Sequence, residues 1–95
     1  MALERLNDDA YAEVFLGVRF GMRDGANPVP CLVTTEALDE LARASTSQRP
    51  IERFLEFREK IEAIAAEKFA AGQIETHGDA KIIVYSHELN RRQFR

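Results

Sequence analysis

The chain of 95 residues holds a single cysteine, Cys31. That excludes an internal disulfide and any zinc site built from several thiolates. A small chain without such staples fits a reducing compartment, so the cytoplasm is the expected location. No stretch approaches the roughly 20 apolar residues needed to cross a bilayer. The opening Met1-Ala2-Leu3-Glu4-Arg5 lacks the apolar run of a signal peptide. Positive charge is not in excess either: 13 Lys and Arg stand against 16 Asp and Glu, a formal charge of −3. That balance gives no general attraction to nucleic acid or to an anionic membrane. Repeats and low-complexity segments are absent. Gly17, Gly21 and Gly25 do not open a helix, so there is no phosphate-cradling loop.

What is present is a globular composition, 45% apolar and 31% charged, of a size for one domain. Residues 1–10 are polar and read as a lead-in with a turn or cap at Asn7-Asp8-Asp9. From Val14 to Met22 the apolar residues alternate through Leu16, Val18 and Phe20, the period of a strand with one buried face. Asp24-Gly25 and Asn27-Pro28 supply turn chemistry over about five loop residues, and a second strand follows from Val29 to Val33. Pro30 lacks a donor, so this strand lies at an edge or leaves its first residues unpaired on one side. Thr34 or Thr35 is a candidate N-cap for a short helix ending in Ser45-Thr46-Ser47-Gln48. Pro50 suits the first position of a longer helix, from about Pro50 to Ala71, with Ile51, Phe54, Phe57, Ile61, Ile64 and Phe69 on one half of its circumference. Gly72 would close it. Ala80 to Ser86 reads as a third strand, and Asn90 to Arg95 as a frayed basic tail.

The expected fold is therefore α+β, in the order β-β-α-α-β. A three-stranded, mainly antiparallel sheet carries two helices packed on one face. The third strand would run antiparallel to the second or parallel to the first.

Val18-Arg19-Phe20, Asp24-Gly25, Val29-Pro30-Cys31-Leu32-Val33-Thr34 and Glu36-Ala37-Leu38 resemble the opening of the bacterial domain-of-unknown-function family number 1488. The run from Phe54-Leu55-Glu56-Phe57-Arg58 to Ile64-Ala65 is similar to that family's second half. The resemblance covers about Tyr11 to Leu89. It implies a short cytoplasmic bacterial protein with an α+β fold and no established activity. A loose label of transcriptional regulator attaches to some members. No functional residue carries over.

Several residues are candidate sites. Arg58 sits at the edge of the apolar arc of the long helix. It reads as an anion site or, by preference, as a structural partner of Glu62 one turn on. Lys68 falls inside the arc, where its stem would cover apolar surface with the ammonium in water. Cys31 alternates onto an inward face and reads as an inert core thiol rather than a nucleophile. His77 and His87 are the only imidazoles, and nothing at helical or strand spacing assembles three or four metal ligands around them. No metal, cofactor or catalytic group is called for. A dyad of Cys31 with His87 places the two on opposite faces. The tail Arg91-Arg92-Gln93-Phe94-Arg95 is the only cluster fit for nucleic acid, a thin footprint on an acidic chain. Finally, Phe15, Leu32, Ile83 and Tyr85 alternate onto the sheet face away from the helices. Left bare, they form an apolar patch of the kind that marks an interface. Alternatively, Leu3, Leu6 and Tyr11 of the lead-in fold over them.

Three functional classes follow. The leading expectation is a non-enzymatic module that self-associates or binds a protein partner. The others are a nucleic-acid-linked regulator and a small ligand binder using Arg58.

Overall fold

The alternation at Val18, Phe20 and Met22 sets the inner face of the central strand, and all three side chains are buried. A computed structural model describes residues 3–41, 49–75 and 78–93. In chain order the elements are β1 (Glu4–Arg5), β2 (Tyr11–Val14), β3 (Gly17–Asp24), β4 (Asn27–Thr34), α1 (Thr35–Glu40), α2 (Pro50–Glu56), α3 (Arg58–Ala70), β5 (Ile82–Val84) and α4 (Ser86–Gln93). The fold is α+β, but the three-stranded sheet is corrected to a mixed one of five strands ordered β1-β3-β4-β5, with β2 also paired to β3.

The two extra strands come from the lead-in and the residues that follow it. β1 pairs Glu4 with Arg23 and Arg5 with Met22, and β2 pairs Tyr11 with Phe20 through Val14 with Gly17, both antiparallel. They are two pieces of one edge strand, interrupted by residues 6–10. Gly21 closes that interruption. Its N–H donates to the Ala10 carbonyl at 2.8 Å, and its carbonyl accepts from Leu6 N–H at 3.1 Å. A polar run with a turn signal hid this pairing, because the strand fragments are too short to show a period.

The β3–β4 hairpin is tighter than five loop residues. Asp24 pairs with Asn27, leaving Gly25-Ala26 as a two-residue turn, with Gly25 at φ +62° where a β-carbon would be strained. β4 is an interior strand despite Pro30. Gly21 faces Pro30 across the ladder, yet Gly21 bonds outward to the β1–β2 edge and the Pro30 carbonyl accepts from Lys81. The proline's missing donor thus points away from β3. β5 pairs with β4 only over residues 31–33, beyond the proline.

β5 runs parallel to β4, registering Cys31 with Ile82 and Val33 with Val84. Neither expected orientation survives. A chain that leaves β4 through helices and returns to the adjacent position is a crossover, and crossovers join parallel strands.

The four described helices lie on one side of the sheet. Leu38 of α1, Phe54 of α2, Ile61 and Ile64 of α3 and Leu89 of α4 join Val18, Phe20, Cys31, Val33, Ile82 and Val84 in one buried cluster. At about 25 cal/mol per Å² of apolar surface, this cluster is the main favourable term in folding. The Thr34 hydroxyl caps α1 by accepting from Ala37 N–H at 3.1 Å. The expected long helix breaks at Phe57, which has φ −112° and ψ 23°. Before the break α2 packs on β2, β3 and α1; after it α3 packs on β1 and β5. One straight axis could not follow both surfaces. Residues 90–93 belong to α4 rather than to a frayed tail, and residues 94–95 lie outside the described residues.

Candidate interaction surface on the outer face of the sheet

Among the described residues no helix covers the other side of the sheet. Strand alternation sends Val14, Arg19, Leu32 and Ile83 there, opposite their neighbours Val18, Phe20, Cys31 and Ile82. Leu32, Ala80 and Ile83 form a second small buried cluster, with Val14 and Tyr85 at its margins.

The four residues expected as an exposed patch are placed differently from one another. Leu32 is 3% exposed and Ile83 5%, because they pack on each other and on Ala80. Tyr85 is half-buried. Phe15 is not on a sheet face at all. With Leu16 it forms the two-residue turn between β2 and β3, where it is 97% exposed and Leu16 is 45% exposed. The long alternation from Val14 to Met22 concealed this turn. Gly17 was its signal, since an isolated glycine inside a strand pattern marks a turn or a close backbone approach. Its φ is +152°, and a β-carbon there would sit on the Val33 carbonyl oxygen. The turn moves Val14 from the inner face to the outer one. The Leu16 carbonyl accepts from Thr35 N–H at 2.9 Å, tying the hairpin tip to the start of α1.

Three adjoining hollows run along this face. One of about 300 Å³ is lined by Leu16, Leu32, Ile83 and Tyr85, with Thr34, Glu36 and Glu75 at its rim. The next, about 480 Å³, shares Leu16 and Leu32 and adds Val14, Arg19 and Asp79. The third, about 370 Å³, shares Val14 and Arg19 and ends on Ala10, Ala12, Gly21 and Pro30. Of the described lead-in residues, Leu6, Asp9 and Ala10 reach this side: Asp9 and Ala10 line the third hollow, and a β-carbon on Gly21 would meet Leu6 Cδ2 at 3.0 Å and Ala10 Cβ at 3.1 Å. Leu3 and Tyr11 belong to the core on the helix side, so among the described residues the lead-in meets the outer face only at its Gly21 end.

Polar groups fix the rim. The Tyr85 hydroxyl donates to Glu75 Oε1 at 2.8 Å, and that bond is the first cause holding the phenol pKa above its ordinary value. Behind Tyr85, Lys68 Nζ donates to the Ile83 carbonyl at 2.6 Å and to Glu88 Oε1 at 3.0 Å. The same Glu88 oxygen accepts from Tyr85 N–H at 2.9 Å, the back-bond of a capping box at the start of α4. The Lys68 ammonium is thus buried and paired, not in water. His87 lies in the first turn of α4, exposed, with its ring stacked on Tyr85 at 5.7 Å.

The arginine site lies on the other side of the molecule. Arg58 Nε donates to Glu62 Oε2 at 2.9 Å, while Nη1 and Nη2 donate to the carbonyls of Asp8 at 2.8 Å and Asn7 at 2.9 Å. Its guanidinium also lies over the Tyr11 ring, 5.3 Å from the centroid. Glu62 accepts from Arg5 as well, through Nε and Nη2 at 2.9 Å each, and Arg5 Nη1 reaches Asp8 Oδ1 at 3.0 Å. Two guanidiniums and two carboxylates therefore lock the 6–10 interruption against α3. Arg5 was invisible in the sequence because its main partner, Glu62, lies 57 residues away.

Cys31 is fully buried on the inner face, where burial pushes its thiol up to about 12. It shares no surface with His87. His77 lies outside the described residues. Among the described residues no three His, Cys, Asp or Glu side chains converge as metal ligands would, and no helix is long and apolar enough to cross a membrane.

An α+β domain with a mixed five-stranded sheet, helices on one face and hollows on the other defines the class. The chain belongs to the family described as protein of unknown function, DUF1488, whose model matches residues 6–81. The match ends before β5 and α4. No curated protein and no solved structure matches the chain.

Proposed function

We propose that this chain is a non-enzymatic protein-interaction domain whose contact surface is the outer sheet face with the Phe15–Leu16 tip. The observation that carries this reading is the run of three hollows on the one sheet face without helices, beside two exposed apolar side chains. Exposed apolar groups next to a concave floor are what an interface buries. A ligand site at Arg58 has less support, since its guanidinium is engaged by Glu62 and two backbone carbonyls. A nucleic-acid face has less support too, because the hollows carry more carboxylates than cations.

Affinity capture with the tagged chain from its own cells, scored both for untagged copies of itself and for other proteins, tests the reading. Capture should be lost with Phe15→Glu and Leu16→Glu and kept with Glu59→Gln on the helix side. Capture indifferent to the tip variants, or none at all, would overturn it.

A further inference from the structure

The outer trough carries an excess of negative charge. Four carboxylates line the three hollows, Asp9, Glu36, Glu75 and Asp79, against a single guanidinium, Arg19. That guanidinium is already paired, with Arg19 Nη2 3.4 Å from Asp79 Oδ2. Glu75 is held in place by Tyr85, and Glu36 stands exposed in the first turn of α1. The floor between them is apolar, built from Val14, Leu16, Leu32 and Ile83. A low-dielectric floor beneath unbalanced carboxylates concentrates negative potential in the groove.

We infer that the trough receives an extended peptide segment of another protein, in which an apolar residue is flanked by Lys or Arg. This rests on the outer face being the contact surface and narrows it to one partner chemistry. The apolar side chain lies on Leu16 beside Leu32 and Ile83. A cation on one side meets Glu36 and Glu75, and a cation on the other meets Asp79 and Asp9. The length fits. The hollows follow β4 from Pro30 to Thr34, and four strand steps span roughly 13 Å, the reach of about four or five extended residues. Rim ion pairs add little affinity each, but they select partners and make binding sensitive to salt.

Two rhodamine-labelled probes decide the matter, acetyl-Lys-Leu-Arg-Phe-Lys-amide and acetyl-Glu-Leu-Gln-Phe-Glu-amide, titrated with the whole chain and followed by anisotropy. The basic probe should bind, and the acidic one should not. Binding should weaken roughly fivefold when salt rises from about 0.02 to about 0.3 M. It should weaken by a similar factor in Glu36→Gln/Glu75→Gln, which removes two exposed pairs of roughly 0.5 kcal/mol each. Amide shifts in the unmodified chain should cluster at Leu16, Leu32 and Ile83. This last reading needs no variant to fold. Equal binding of both probes, binding of neither, or shifts on the helix side would overturn the inference. If the tip variants still abolish capture from cells while peptide charge makes no difference, the contact surface stands and only its preference for basic segments falls.

Discussion

Glu62 is the carboxylate on which Arg5 and Arg58 converge, and it is nearly buried. A buried ion pair gains little over a well-packed apolar pair, but removing one partner strands the other's charge. Glu62→Ala should therefore cost roughly 3–5 kcal/mol in urea unfolding. Glu62→Ala combined with Arg58→Met should cost less than the sum of the two single changes; a cost equal to that sum would mean the ring contributes nothing as a unit. Cys31 supplies a pH test. Below its ordinary value of 9.0 the thiol is neutral in both states and adds no slope. Between there and about 12 the unfolded chain releases the proton and the folded chain keeps it, so stability falls as pH rises. Denaturant titrations across that window should show this fall in the parent and a shallower one in Cys31→Ala. A thiol reagent at neutral pH should label only the unfolded protein.

At the scale of elements, α4 is held by a device the sequence shows only in part. Glu88 at the third helical position could be read as a capping residue, but its partner Lys68 sits 20 residues back on α3. Glu88→Ala removes the cap from Tyr85 N–H and leaves a buried ammonium, so a loss of roughly 3 kcal/mol is expected. The loss should be local first. α4 packs on α1 and α3, so its amides should exchange early in native-state hydrogen exchange while β3 and β4 stay protected. Uniform loss of protection would show that α4 is part of the same cooperative unit as the sheet. The break at Phe57 belongs to this scale as well. The apolar stripe from Ile51 to Phe69 is continuous in sequence, and only the two surfaces beneath it require two axes.

For the whole molecule, the contrast between the two sheet faces matters most. The helix side is closed by a core drawn from nearly every element, while the outer side keeps a trough with the Phe15–Leu16 tip at its rim. A side chain as exposed as Phe15 adds little to folding. Phe15→Glu should leave thermal stability within about 0.5 kcal/mol of the parent. Any self-association seen by sedimentation at micromolar concentration should vanish with it. A large drop in stability would instead make the tip a structural element.

By itself the sequence determined the α+β class, the inner faces at Val18, Phe20, Met22, Cys31 and Val33, a cap at Thr34 or Thr35, the helix start at Pro50 and the family. Each is a local matter, a period of two, a hydroxyl before a helix or a proline at its first turn, and local patterns are written in consecutive residues. Tertiary structure alone decided that the lead-in completes the sheet, that β5 lies parallel to β4 and that Arg5 meets Glu62. It also decided that Leu32 and Ile83 are covered while Phe15 and Leu16 are not. Those outcomes depend on contacts between residues dozens of positions apart, where the loop-closing entropy is offset by burial and pairing that no short window of sequence displays.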